Sequence, residues 1–191
     1  AGTAAMVRND GSRTNEHAFW QKFAAIYGEE RARADQPLFE DFYANEFNTA
    51  RDTCGFNPAA AETVHKLQAR GYRVALATNP IFPHIATEHR IRWAGLTPGD
   101  FELYTTYERS TFCKPNVDYY REVARTLGVR PEQCLMVGND AAEDMSARAL
   151  GMDVFLLTDC LINAKSIDLS PFPQGDFAAL NAYLDRLNTE A

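Results

Sequence analysis

Three short segments carry side chains that could act together on a phosphoryl group. Val74-Ala75-Leu76-Ala77-Thr78-Asn79 ends an apolar run in a hydroxyl and an amide. Cys113-Lys114-Pro115 holds an isolated lysine, and Met136-Val137-Gly138-Asn139-Asp140 leads a second apolar run into a carboxylate, with Asp144 shortly after. A hydroxyl and backbone N–H groups at a strand end can hold a phosphate oxygen. A compact ammonium neutralises charge there. Paired carboxylates suit Mg²⁺, which prefers oxygen ligands and keeps several waters. The set lacks a carboxylate placed to act as nucleophile.

Each segment also has a purely structural reading. Thr78 fits an N-cap for the helix that follows it. Lys114 fits a solvated surface lysine. Asp140 fits a cap at a helix start, where acids are favoured in any case, although capping explains one acid better than two.

The elements that must position these residues alternate from about Asn57 onward. Helical spacing covers Pro58–Arg70, with Pro in the first turn and Gly71 as the stop. Tyr72–Ala77 and Cys134–Val137 read as buried parallel strands, Glu102–Thr106 as a strand and Val154–Leu157 as the next. Ile85–Trp93, Val117–Leu127, Ala141–Leu150 and Phe177–Leu187 read as helices, three of them closed by Gly95, Gly128 and Gly151. Such alternation implies βαβ crossovers and a parallel sheet covered by helices on both faces. In an open sheet of this kind, ligands bind outside the carboxyl ends of the strands, where the three segments lie.

Residues 1–56 differ. They show no strand pattern and two aromatic-rich helical stretches, Glu16–Tyr27 and Leu38–Asn48. Phe19, Phe23 and Ile26, then Phe39, Phe42 and Phe47, supply apolar faces that read as helix–helix core.

The 191 residues fit one domain, or one with a small accessory domain. The formal net charge of −7 and the absence of a Lys/Arg-rich run argue against nucleic acid or an anionic membrane as the main partner. Cys54, Cys113, Cys134 and Cys160 are widely spread, which reads as isolated thiols in a reducing, cytoplasmic setting. No apolar run reaches the length of a membrane span.

The order, spacing and strand-end placement of the three segments resemble the haloacid dehalogenase-like hydrolase superfamily, whose members are mostly Mg²⁺-dependent phosphatases. The resemblance covers residues 57–191, and residues 1–56 are similar to the C-terminal part of the helical cap domain of these proteins. It implies an α/β fold, a Rossmann-like three-layer parallel-sheet core carrying a small helical cap. It implies too that Thr78, with Asn79 beside it, is the second-motif hydroxyl that contacts the phosphoryl group. Lys114 resembles the third-motif lysine. Asn139, Asp140 and Asp144 look like the fourth-motif Mg²⁺ ligands, although the family pattern has Asp directly after Gly, where Asn139 stands here. A small phosphorylated molecule is the implied substrate.

The family's first motif, Asp-x-Asp-Gly-Thr, supplies the nucleophile and the general acid/base. The nearest segment, Val7-Arg8-Asn9-Asp10-Gly11-Ser12, would put Arg8 where the nucleophile belongs, and arginine stays protonated. It reads as a turn in the cap. The first core strand is therefore expected to be missing from this chain, and to lie upstream with its nucleophilic Asp. Two other readings stand beside the phosphatase: a metal-free 2-haloacid dehalogenase-type hydrolase, or a catalytically inert fragment or binding module. Arg8, Arg13 and Arg51 are candidate anion contacts.

Overall fold

The computed structural model describes residues 1–187. They form two compact units, the second beginning at Lys114. The boundary expected from the sequence, between residues 56 and 57, falls inside the first. Among the described residues no helix is long and apolar enough to cross a membrane.

The first unit opens with three helices: α1 (Gly2–Val7), α2 (Asn15–Tyr27) and α3 (Glu29–Ala44). The short α1 was not legible in the small, unpatterned residues that form it. The turn expected at Asn9–Ser12 is present, closed by the Ser12 N–H donating to Asp10 Oδ1 at 3.0 Å. Gly11 sits there at φ 84°, a left-handed conformation that glycine adopts without penalty. Thr14 caps α2 by accepting the His17 N–H.

Helix α3 starts nine residues before the expected Leu38 and runs through Pro37. Proline at that point removes one intrahelical donor, and the surrounding turns carry the helix past it. A 3₁₀ segment, Glu46–Thr53, follows. The aromatics do pack helix on helix, with Trp20 and Phe23 against Phe39 at centroid separations of 5.2 and 5.4 Å. Phe47 stacks on Trp93 at 5.3 Å. Ile26 departs from that expectation, at 64% exposed.

Helix α4 (Pro58–Ala69) leads to β1 (Ala75–Leu76), then α5 (His84–Trp93) and β2 (Leu103–Tyr104). The two strands pair in parallel, Ala75 opposite Leu103 and Leu76 opposite Tyr104.

The second unit begins at Lys114. Helix α6 (Val117–Leu127) is capped by Asn116 and stopped by Gly128 in the left-handed region at φ 67°. Its stripe of Tyr119, Tyr120, Val123 and Ala124 is buried, at helical spacing. Strands β3 (Leu135–Gly138), β4 (Asp153–Leu157) and β5 (Gln174–Gly175) form a parallel sheet with β4 in the middle. Val154, Phe155 and Leu156 of β4 are buried, and Phe155 packs on Tyr183 of α7 (Phe177–Leu187) at 5.2 Å. The α/β fold expected from the sequence is thus present, as two parallel sheets with helices.

Two expectations need correction. β1 and β3 are half-buried rather than buried, because among the described residues each has a paired strand along one edge only. Residues 141–150 form a turn and a 3₁₀ helix (Met145–Leu150) in place of an α-helix.

Because Leu156 is fully buried in the middle strand, truncating it leaves a cavity the sheet cannot close. Leu156→Ala should lower unfolding stability by about 2–5 kcal/mol in urea denaturation. A loss below about 1 kcal/mol would show that β4 does not carry the core of this unit.

Candidate functional site

The second unit brings together four of the six residues expected to do chemistry. Lys114 immediately precedes the Pro115-Asn116 entry to α6, and its ammonium meets Asp144 Oδ1 at 2.6 Å. Their side chains are only 5% and 8% exposed. Lys114 is therefore not a solvated surface residue. Nζ also lies 5.7 Å from the ring centroids of both Tyr119 and Tyr120, where the ring faces favour a cation.

Asp144 uses its second oxygen too. Oδ2 accepts the Asp140 N–H at 2.9 Å, so one carboxylate spans from the lysine to the end of β3. Such a reach needs space beside the strand, and Gly138 provides it. A Cβ on Gly138 would stand 2.1 Å from Asp144 Oδ2 and 2.3 Å from its Cγ.

Asp140 closes the turn. Its Oδ1 accepts the Ala142 and Glu143 N–H groups at 2.8 and 2.9 Å, so the capping alternative describes what this oxygen does. Asn139 donates from Nδ2 to the Cys160 carbonyl at 2.5 Å. Its own carbonyl accepts the Ile162 N–H at 2.8 Å, which fixes the Asn139–Asp140 backbone against the 160–162 loop. Tyr120 donates its hydroxyl to the Glu143 carbonyl at 2.8 Å. Burial, reinforced by the Asp144 charge, pushes the Tyr120 phenol far above its ordinary range. It therefore remains a neutral donor.

Thr78 and Asn79 belong to the first unit. Thr78 lies two residues beyond β1 but is not the cap of the next helix, since the N-cap of α5 is Pro83. Its hydroxyl lies 3.4 Å from the Thr105 carbonyl, and the Thr105 hydroxyl donates to the Thr78 carbonyl at 2.9 Å. The Asn79 carbonyl accepts the Ile81 N–H at 2.9 Å and so closes the turn after the strand.

The sequence reading missed Asn15, which is fully buried at the start of α2. Its Nδ2 donates to the Pro80 and Phe112 carbonyls at 3.1 and 3.2 Å. Its Oδ1 accepts from Asn9 Nδ2 at 2.9 Å. The acceptors lie 65 and 97 residues away in sequence, and no local pattern marks such a link. Tyr119 and Tyr120 fall within the expected helix Val117–Leu127, and nothing in the sequence marked them as the walls around an ammonium.

Strand β3 thus ends at Gly138 and leads into Asn139-Asp140, with Lys114 buried against Asp144. Residues 4–151 match the family model of haloacid dehalogenase-like hydrolases. This chain belongs to that family. A glyceraldehyde 3-phosphate phosphatase of Methanothermobacter thermautotrophicus is 30% identical over 109 residues, covering 56% of this chain and 47% of the relative. A phosphoglycolate phosphatase of Escherichia coli K12 is 27% identical over 166 residues, covering 85% of this chain and 62% of the relative. The chain thus spans roughly half to three-fifths of these haloacid dehalogenase-like relatives. A solved structure of a predicted phosphoglycolate phosphatase from Haemophilus somnus has a TM-score of 0.59 and 20% identity, covering 96% of this chain and 81% of its own. That likeness speaks for the haloacid dehalogenase-like fold.

The oxygens near the end of β3 are hard donors of the kind Mg²⁺ takes. Among the described residues no three His, Cys, Asp or Glu side chains gather as a metal cluster. Mg²⁺ usually needs only one or two carboxylates, with waters and phosphate oxygens completing its shell, so the Asn139, Asp140 and Asp144 set fits it. Both Asp144 oxygens already accept bonds, which leaves Asp140 as the better-disposed carboxylate.

Removing one member of a buried pair strands the other charge. Lys114→Met should cost about 3–5 kcal/mol of stability in chemical denaturation, and adding Asp144→Leu should recover part of it. A double variant as unstable as the sum of the single ones would refute the coupling. Gly138→Ala forces Asp144 off its bonds and should lower stability by about 1–3 kcal/mol. A wild-type unfolding midpoint for that variant would show that Asp144 can move aside freely.

Proposed function

We propose that the intact protein is a Mg²⁺-dependent phosphatase of the cytoplasm, acting on a small phosphorylated metabolite. The observation that carries this reading is the lysine–carboxylate pair buried beside the acidic end of β3, at the carboxyl edge of a parallel sheet. Lys114 would neutralise charge on the phosphoryl group, and Thr78 and Asn79 would hold its oxygens. Asp144 fixes the ammonium while sharing its other oxygen with the Asp140 backbone. Mg²⁺, held by Asn139, Asp140 and Asp144, would supply positive charge to the phosphoryl oxygens. Catalysis in such a site rests on pre-positioned charge, made more effective by low dielectric.

No carboxylate among residues 1–12 stands at the end of a strand, since that segment is α1 and a turn. We assign the nucleophile to an aspartate upstream of this chain, attacking phosphorus to form an aspartyl-phosphate that water then hydrolyses. Residues 1–56 would be the C-terminal part of the cap. Residues 1–191 alone should turn over no phosphomonoester.

The names of the relatives support this reading and suggest a panel of two- and three-carbon phosphorylated acids and aldehydes. With the full-length protein, phosphate release should require Mg²⁺ and stop with EDTA. Lys114→Ala in that protein should lower kcat by roughly 100- to 1000-fold. Undiminished phosphate release in EDTA would sink the metal-dependent phosphatase, and halide release from a 2-haloacid in EDTA would favour the metal-free dehalogenase-type reaction.

A further inference from the structure

The chain is acidic overall, with a formal net charge of −7, yet one concave surface of the first unit is cationic. Where α1 packs on α2, Ala5, Ala18 and Ala25 leave space that larger side chains would fill. The result is a cleft of about 450 Å³. Arg8, Arg13 and Lys22 line it, against Asp10 as the one carboxylate. Among the described residues none of these three cations makes an ion pair.

Two features suit the cleft to a ligand. Arg13 is held in place, with Nε donating to Ser12 Oγ at 3.2 Å and Nη1 to Gln21 Oε1 at 2.5 Å. Holding a guanidinium in advance reduces the entropy lost on binding. Asp10, meanwhile, accepts the Ser12 N–H with one carboxylate oxygen, 3.0 Å away, and among the described residues makes no ion pair with Arg8 or Arg13. Like charges gathered in a concavity raise the local concentration of anions.

We propose that this cleft binds a small anion bearing a phosphate or carboxylate group. As an anion site the cleft stands independently of the hydrolytic reading, and only its assignment to a substrate's far end rests on that reading. It is also linked to the Thr78 loop. Asn9 on the cleft wall donates to Asn15 Oδ1 at 2.9 Å, and Asn15 donates to the Pro80 carbonyl at 3.1 Å. The cleft is therefore two hydrogen bonds from the residue after Asn79. Its occupant is either the far anionic end of a phosphorylated substrate or a separate inorganic anion.

The test is a titration of the 191-residue chain with inorganic phosphate, and separately with phosphoglycolate, followed by backbone amide shifts. Saturable changes should concentrate in residues 5–25. The Arg8→Gln/Lys22→Gln double variant should raise Kd by roughly three- to tenfold, and Asp10→Asn should lower it. All of these side chains are exposed, so the circular dichroism spectrum should not change. Phosphoglycolate binding tighter than phosphate, with shifts reaching residues 78–80, would identify the substrate's far end. Equal affinities, with shifts confined to residues 5–25, would identify a separate inorganic anion. No saturation by either probe, or the same Kd in a folded double variant, would overturn the proposal.

Discussion

Burying an ammonium against a carboxylate is tolerable only if the remaining donors and acceptors of both groups are also answered. The Lys114–Asp144 pair imposes that requirement on two stretches of the second unit. Along residues 113–120 it calls for a helix that starts at once and lays two aromatic rings beside the charge, which Asn116, Tyr119 and Tyr120 provide. Along residues 138–144 it calls for a glycine where a side chain would collide and a turn that presents the Asp140 N–H to Asp144. Asp140 holds that turn by accepting two further N–H groups. Gly138, Asp140 and Tyr120 are thus explained by one buried charge pair rather than separately.

Secondary structure was foreseen where local signals agree and not elsewhere. Residues 141–150 have helical spacing and a terminal glycine, yet they form a turn held by Asp140 Oδ1 and a 3₁₀ helix. Helix α6 was legible end to end because its cap, buried stripe and left-handed glycine all agree. Helix α7 was legible for a similar reason, with Leu180 and Leu184 buried one turn apart. Helix α3 runs from Glu29 through Pro37, whereas the aromatic spacing alone gave only the part from Leu38 on. The strand pattern of Tyr72–Ala77 and Cys134–Val137 announced burial on both faces, and burial also depends on what lies along each edge.

Within the site, the residues were more legible than their bonds. The family resemblance implied that Lys114, Asn139, Asp140 and Asp144 belong to one site, since all four lie at the carboxyl ends of apolar strands or the loops after them. It could not say that Asp144 would face the lysine while Asp140 capped a turn, since a carboxylate suits either task. Asn15 lay further out of reach. Its value depends on carbonyls of residues 80 and 112, which only the folded first unit brings to it.

The way Lys114 is held bears on what it can do for a phosphoryl group. An ammonium has three donors, and the bond to Asp144 Oδ1 uses one of them. The lysine stem is already fixed by burial and by the two tyrosine rings, so little rotamer freedom is left to lose when an anion arrives. The pair is neutral as a unit, which makes it tolerable in the absence of a ligand. An incoming phosphate oxygen would then meet a cation of fixed direction in a water-poor setting, where charge acts with less screening. In this arrangement Asp144 is a positioning residue for Lys114 as well as a candidate metal ligand. Its two oxygens cannot serve lysine, backbone and cation equally, so the Asp140 N–H bond is the contact best able to yield, because it is the one of its two bonds made to a neutral partner.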